Sequence, residues 1–196
     1  MAGYIWNEAV ETMPRDELRR LQEDRLRATV RLAHTNSPFY TRQLDTYGVN
    51  PGSITSLDDL QRLPFTVKGD FRQAYPFGML AVPRDRLLRV QASSGTRGKL
   101  TVVGYTARDI ETWAEVCARS LALGGARPGD VIQNAYGYGL FTGGLGMHYG
   151  GERLGATVIP MSGGNTLRQI MMLRDLKSNV LCCTPSYALI VAEVLE

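Results

Sequence analysis

The sequence predicts an α/β fold, with a mixed, largely parallel sheet and flanking helices. Three observations carry this. Short apolar runs at 131–135, 156–160 and 180–183 alternate with helical periodicity at 142–154 and 166–176, which is the pattern of βαβ units. Glycine-rich segments follow the first two of these runs, where such sheets place ligands. The chain of 196 residues is 44% hydrophobic and 21% charged, enough to bury a core without disulfide or metal staples.

The elements follow in order. Residues 14–34 are rich in Arg, Glu and Leu, and Leu18, Leu21, Ala28 and Leu32 form a narrow apolar stripe, so this is a surface helix packed by one edge. Asn36-Ser37-Pro38 ends it. Residues 39–87 read as loop-rich, with short helices at 56–62 and 66–73, the first with Ser56 and Asp59 at capping spacing. Residues 87–92 and 101–105 read as two strands around a polar loop. Thr106 caps a long helix with Asp109 at the capping-box position. Ile110, Ala114, Cys117 and Leu121 are its buried face, and Gly124-Gly125 its end. The run at 180–183 leads into Thr184-Pro185, a helix start. Ala188, Leu189, Ala192 and Leu195 then recur at helical spacing, and the helix stops at Glu196 without a capping glycine, as if cut in mid-fold. The expected organisation is a helical, loop-rich region at 1–86 and an α/β subdomain at 87–196.

Composition excludes several classes. The formal net charge is +3 and the basic residues are scattered, which argues against a nucleic-acid partner. The first 13 residues lack a secretory signal, and no apolar run approaches the ~18 residues of a membrane helix. Cys117, Cys182 and Cys183 read as reduced core thiols of a cytoplasmic protein. His34 and His148 lie far from the cysteines in sequence, so no metal site is expected.

Three loops have the composition to carry chemistry. Ser93-Ser94-Gly95-Thr96-Arg97-Gly98-Lys99 offers hydroxyls, glycines and cations suited to phosphate oxygens. It is not a Walker A loop, because Ser93 stands where that motif needs glycine, and it joins two strands. A solvated hairpin is the plain alternative. The segment Tyr136-Gly137-Tyr138-Gly139-Leu140-Phe141-Thr142-Gly143-Gly144 lies between a strand and a helix. Thr142 breaks the dinucleotide fingerprint. Its aromatics suit either an apolar pocket that stacks a ring or plugs for the core. Ser162-Gly163-Gly164-Asn165 precedes a helix and suits an anion or a simple cap. His148, within a helix, reads as structural or catalytic.

These loops, in this order, resemble the adenylate-forming superfamily of acyl- and aryl-CoA ligases, and within it the phenylacetate–CoA ligases. The resemblance also rests on Leu100-Thr101-Val102-Val103-Gly104-Tyr105-Thr106, Leu145-Gly146, His148-Tyr149-Gly150, Glu152-Arg153-Leu154-Gly155, and Ile159-Pro160. Trp6-Asn7, Glu11-Thr12-Met13, Pro38-Phe39-Tyr40 and Leu63-Pro64-Phe65-Thr66 extend it over essentially the whole chain. Two positions depart from the family pattern. Arg97 stands where threonine is usual, and Leu100 where proline is usual; Arg97 brings further donors and charge.

The resemblance implies the activation of phenylacetate by ATP to an acyl-adenylate, then transfer to coenzyme A. It implies that Ser93, Ser94, Gly95, Thr96, Arg97, Gly98 and Lys99 form the loop over the ATP phosphates, with Mg²⁺ bridging. It further implies that Tyr136, Phe141, Gly143 and Gly144 line an aryl pocket. The family's remaining nucleotide site and its small C-terminal domain with the catalytic lysine do not map onto this chain. It is therefore read as part of the large N-terminal domain of such an enzyme, incomplete at its C-terminus and inactive alone. No catalytic residue is assigned within it. Expected partners are an aryl acid, ATP and CoA, with a homodimer as a further expectation, and no nucleic acid or membrane. Two alternatives stand: a ligase for another aromatic acid such as benzoate or an indole acid, and a non-catalytic binding or dimerisation module.

Overall fold

A computed structural model describes residues 4–93 and 100–195. The helices are α1 (Glu8–Glu11), α2 (Arg15–Asn36), α3 (Pro38–Thr46), α4 (Lys68–Gln73), α5 (Ala107–Leu123), α6 (Thr142–Leu154), α7 (Thr166–Asp175) and α8 (Pro185–Leu195). The strands are β1 (Arg89–Ser93), β2 (Thr101–Tyr105), β3 (Val131–Asn134), β4 (Thr157–Ile159) and β5 (Val180–Cys182). Two compact units result, residues 12–106 and residues 1–11 with 107–196. The hairpin thus groups with the preceding helices, whereas the sequence expectation drew one boundary after residue 86.

In the 12–106 unit, α2 and α3 enclose a small core of Val30, Leu44, Val49 and Ile54, flanked by Leu26 and Leu63. Helix α3 corrects the loop-rich reading of 39–87. Pro38 occupies its first turn, where its fixed φ and missing N–H are harmless, and Ser37 before it is fully buried. The dipeptide that ends α2 therefore also starts α3. This resets the inward face of α2. Leu18 and Leu21 are half-buried, but Ala28 and Leu32 are exposed and Leu26 and Val30 point inward. The expected short helix at 56–62 is a 3₁₀ helix, Leu57–Arg62. Its start is held by Asp59, whose Oδ2 accepts the Thr55 and Ser56 amides at 2.9 and 3.0 Å. These backbone donors, then Arg62, hold the Asp59 carboxyl well below its ordinary range. β1 and β2 pair antiparallel, Arg89 opposite Tyr105 through Ser93 opposite Thr101.

The other unit is built on a three-stranded parallel sheet ordered β4-β3-β5. The buried face foreseen for α5 is confirmed at Ile110, Ala114, Cys117 and Leu121, extended by Ala118 and Ala122. Gly125, at φ 105°, turns the chain after α5. A core of Ala118, Leu121, Ala122, Ala126, Ile132, Leu154 and Cys182 fills the space between helices and sheet. Helix α8 packs through Val191, while the stripe Ala188, Leu189, Ala192 and Leu195 is exposed.

The N-terminal residues are clamped to this unit by Glu115. Its Oε1 accepts Trp6 Nε1 at 3.0 Å and Asn7 Nδ2 at 3.1 Å, and its Oε2 meets Arg153 Nε at 2.5 Å. Burial pushes the Glu115 carboxyl up, but the bonds from Arg153, Asn7 and Trp6 outweigh it and leave the group below its ordinary value. A carboxyl with a lowered folded pKa contributes stability above the unfolded value of about 4.3, and that contribution is lost as pH falls toward the folded value. Glu115→Gln is expected to cost about 1 kcal/mol near neutral pH and to flatten the acid limb of the melting-temperature profile between about pH 3 and 6. Thermal melts across that range check it; an unchanged acid limb would assign the pH dependence to other carboxylates.

Candidate functional site

The carboxyl ends of β3, β4 and β5 lie at one edge of the parallel sheet, and two of the glycine-rich loops leave from it. The loop after β3 is tied back at Tyr136 and at Tyr138. Tyr136 Oη donates to the Cys183 carbonyl at 2.8 Å, linking it to the end of β5. Its ring packs against the core. The Ser162 amide donates to the Asn134 carbonyl at 3.1 Å, and the Tyr138 amide approaches Ser162 Oγ at 3.4 Å, so the loop after β4 runs beside it.

Asn134 is the hub. It is fully buried at the last position of β3. Its Nδ2 donates to Tyr138 Oη at 2.8 Å and to the Gly144 carbonyl at 2.6 Å, and its Oδ1 accepts the Tyr136 amide at 3.3 Å. Tyr138 Oη also lies 3.2 Å from His148 Nδ1, and His148 Nε2 lies 3.1 Å from Glu152 Oε1. Burial raises the Tyr138 hydroxyl pKa, so it stays protonated and able to donate. Beneath this, Gln133 Nε2 donates to Gln169 Oε1 at 2.6 Å, and Gln169 Nε2 donates to the Ser162 carbonyl at 2.7 Å. Both glutamines are fully buried. The chain of amides fixes the loop after β4 from below.

Of the residues singled out for an aryl pocket, Tyr136, Gly143 and Gly144 come together. A Cβ on Gly143 would stand 3.6 Å from the Tyr136 ring, and one on Gly144 would stand 3.1 Å from the Tyr136 carbonyl oxygen. Phe141 immediately precedes α6 and is 56% exposed. In the proposed phosphate loop, Ser93 ends β1 and is exposed; Ser94, Gly95, Thr96, Arg97, Gly98 and Lys99 lie outside the described residues. Asn165 proves to be a cap, its Oδ1 accepting the Arg168 amide at 3.1 Å. A cleft of about 510 Å³ lies elsewhere, lined by Phe39, Arg42, Gln43, Tyr47, Asp70 and Gln73 among others. Among the described residues, none in the three loops lines it.

Over 189 residues the chain is 56% identical to the phenylacetate-coenzyme A ligase of Thermus thermophilus, covering 96% of this chain and 42% of that protein. The match to the Aromatoleum evansii enzyme of the same name is also 56%, covering 43% of it, and the match to the Escherichia coli enzyme is 53% over 187 residues. This chain is a sequence relative of the phenylacetate–coenzyme A ligases. It spans about two-fifths of the length of these curated relatives. No family model matches it.

Solved structures agree on the fold. A 2-hydroxyisobutyryl-CoA ligase in complex with 2-HIB-AMP and CoA, in the thioesterification state, superposes with a TM-score of 0.87 at 33% identity, covering 93% of this chain and 40% of that one. An open conformation of that ligase, also with 2-HIB-AMP and CoA, gives 0.86 at 32% identity. The α/β fold with its parallel sheet and flanking helices is therefore that of adenylate-forming CoA ligases.

The sequence reading singled out the aromatic loop but took Tyr138 only as one of its aromatics and gave Asn134 no role. A signal was present: β3 reads Val131-Ile132-Gln133-Asn134, with two amides closing an apolar strand. Amides at buried strand positions need partners, and here they find them in the two loops. His148, left between structural and catalytic readings, is a member of this network. Among the described residues no group of three or more His, Cys, Asp or Glu side chains is placed to hold a metal ion, and no described helix is long and apolar enough to cross a membrane.

Proposed function

We propose that the protein activates phenylacetate with ATP and passes the phenylacetyl group to coenzyme A. The observation that carries this is the 56% identity to phenylacetate-coenzyme A ligases along 96% of the chain. In the first step a carboxylate oxygen attacks the α-phosphorus of ATP, the α–β anhydride bond breaks, and pyrophosphate leaves. In the second the CoA thiol gives up its proton, its sulfur attacks the acyl carbon, and AMP leaves.

In this reading the chain contributes binding and orientation. Ser93, Ser94, Gly95, Thr96, Arg97, Gly98 and Lys99 present N–H, hydroxyl and cationic donors to the β- and γ-phosphates, where charge grows as pyrophosphate departs. Tyr136 and Phe141 form walls for the phenyl ring, with Gly143 beside the Tyr136 ring and Gly144 letting the loop's own backbone seat on α6. An uncharged aromatic surface suits that ring. Mg²⁺ enters this scheme as the counter-ion of ATP. The cytoplasm is the proposed location, where ATP and CoA are at hand, and a homodimer the proposed assembly.

Pyrophosphate release from ATP tests the reading. A protein carrying this chain at the full length of its relatives should release pyrophosphate in a phenylacetate-dependent manner. The 196 residues alone should show none. Faster release with benzoate or an indole acid would move the substrate to that acid, and no dependence on any aryl acid would reject the ligase assignment.

A further inference from the structure

We propose that Tyr138 is a positioning residue for the aryl-binding loop, its hydroxyl pinned between Asn134 and His148 so that the segment between Tyr136 and Phe141 is held in one conformation. This rests on the aryl-pocket reading of that loop given above.

The hydrogen-bond directions are determined by the chemistry of the groups. Both Nδ2 hydrogens of Asn134 are used, one on the Gly144 carbonyl and one on Tyr138 Oη. His148 Nε2 faces the Glu152 carboxylate, which only accepts, so in the neutral ring Nδ1 is the acceptor and takes the Tyr138 proton at 3.2 Å. His148 is then the tautomer protonated at Nε2, and that N–H points to Glu152 Oε1 at 3.1 Å. Each donor in the series has one acceptor. The series begins on a buried strand, crosses the loop and ends on α6, so it joins two rigid elements through the loop's middle.

Packing supplies only part of that restraint. The Gly137 carbonyl rests against Gly144 of α6, but a Cβ added to Gly137 or to Gly139 would meet nothing within 4 Å, so the Cα positions on either side of Tyr138 face open space. Polar anchors hold the loop: the Tyr136 hydroxyl on Cys183, the Asn134 side chain on the Gly144 carbonyl, and the Tyr138 hydroxyl in between. The ring of His148 stands edge-on to Tyr138, with centroids 5.8 Å apart, and edge-on to Tyr149 at 5.5 Å. These contacts hold the plane of the imidazole, and its bonds to Tyr138 and Glu152 set which edge faces the hydroxyl. Loss of the pin frees the loop that sets the distance between the two aromatic walls, while the phosphate loop is a different segment of the chain.

The test uses the full-length protein and three variants. Tyr138→Phe keeps the ring and removes the hydroxyl. His148→Ala removes the acceptor, and His148→Asn restores one near the Nδ1 position. Tyr138→Phe and His148→Ala should each raise KM for phenylacetate about three- to tenfold, the factor one hydrogen bond carries, with KM for ATP changed by less than about twofold. His148→Asn should return KM for phenylacetate toward the parent value. Hydrogen exchange supplies a readout independent of turnover: amides of residues 136–144 should exchange faster in Tyr138→Phe than in the parent. Equal rises in both KM values, or unchanged exchange at 136–144, would overturn the proposal. If the parent shows no phenylacetate-dependent pyrophosphate release, the ligase reading fails by itself, and the exchange comparison still decides whether Tyr138 pins the loop.

Discussion

Gly150→Val is expected to destabilise the protein more than any other single change considered, by about 3 kcal/mol. The reason is the closeness of α5 and α6. A Cβ on Gly150 would stand 2.5 Å from Cys117 Cβ and 2.9 Å from the Cys117 carbonyl carbon. Two of the crowding atoms belong to the backbone, so no rotamer change relieves them. The sheet-facing side of α6 is also tight: a Cβ on Gly151 would stand 2.6 Å from Val158 Cγ2. The helix is wedged between α5 and the sheet and cannot retreat. Glycine in a helix interior costs about 1 kcal/mol relative to alanine, and α6 accepts that cost at Gly146, Gly150 and Gly151 because close packing returns more. At roughly 2–4 °C per kcal/mol for a chain of this size, the melting temperature should fall by about 6–12 °C. A scanning melt of the purified variant measures this; a fall of less than about 2 °C would mean that the two helices separate at little cost.

Gly144→Ala has the second largest expected effect, and it falls on the site rather than the core. Position 144 is in the first turn of α6, where alanine would ordinarily be favoured over glycine by up to about 1 kcal/mol. Here the sign reverses. The new Cβ would stand 2.5 Å from the Gly137 carbonyl oxygen and 3.0 Å from its carbon. The loop after β3 has to move outward, which pulls Tyr138 Oη away from its 2.8 Å bond with Asn134 Nδ2. Stability should drop by about 1–3 kcal/mol, and KM for phenylacetate should rise roughly tenfold or more. Gly143→Ala is the internal control. Its Cβ meets the Tyr136 ring at 3.6 Å, an ordinary contact, so that variant should keep its stability within about 1 kcal/mol. Similar behaviour of the two variants in melts and in pyrophosphate-release kinetics would show that the loop is not seated on α6 as described.

These two glycines show how far the sequence could be read. The 21 glycines and their clustering in the second half are visible at once, and loops lined by backbone are the natural inference. That inference holds for the segments around Tyr138 and Gly164. It does not cover Gly146, Gly150 and Gly151, which lie inside α6 and face Trp113, Cys117 with Ala118, and Val158 with Ile132. Periodicity identified the helix at 142–154, but a partner's closeness leaves no mark on its own sequence. The same limit applies to α2. Its apolar residues suggested Ala28 and Leu32 for the inner face, and the packing of α3 selected Leu26 and Val30 instead.

Local chemistry therefore decided what depends on neighbours in sequence: the strands and helices of the α/β region, the buried face of α5, the Asp59 cap and the position of the aromatic loop. Alternating apolar runs and capping residues encode these directly, since the interactions that form them span only a few residues. The site's polar frame is different. Asn134, Tyr138, His148, Ser162 and Gln169 are brought together by the pairing of β3 with its two parallel neighbours. Each residue looks ordinary in the chain, and its function comes from the hydrogen bond it finds across the fold.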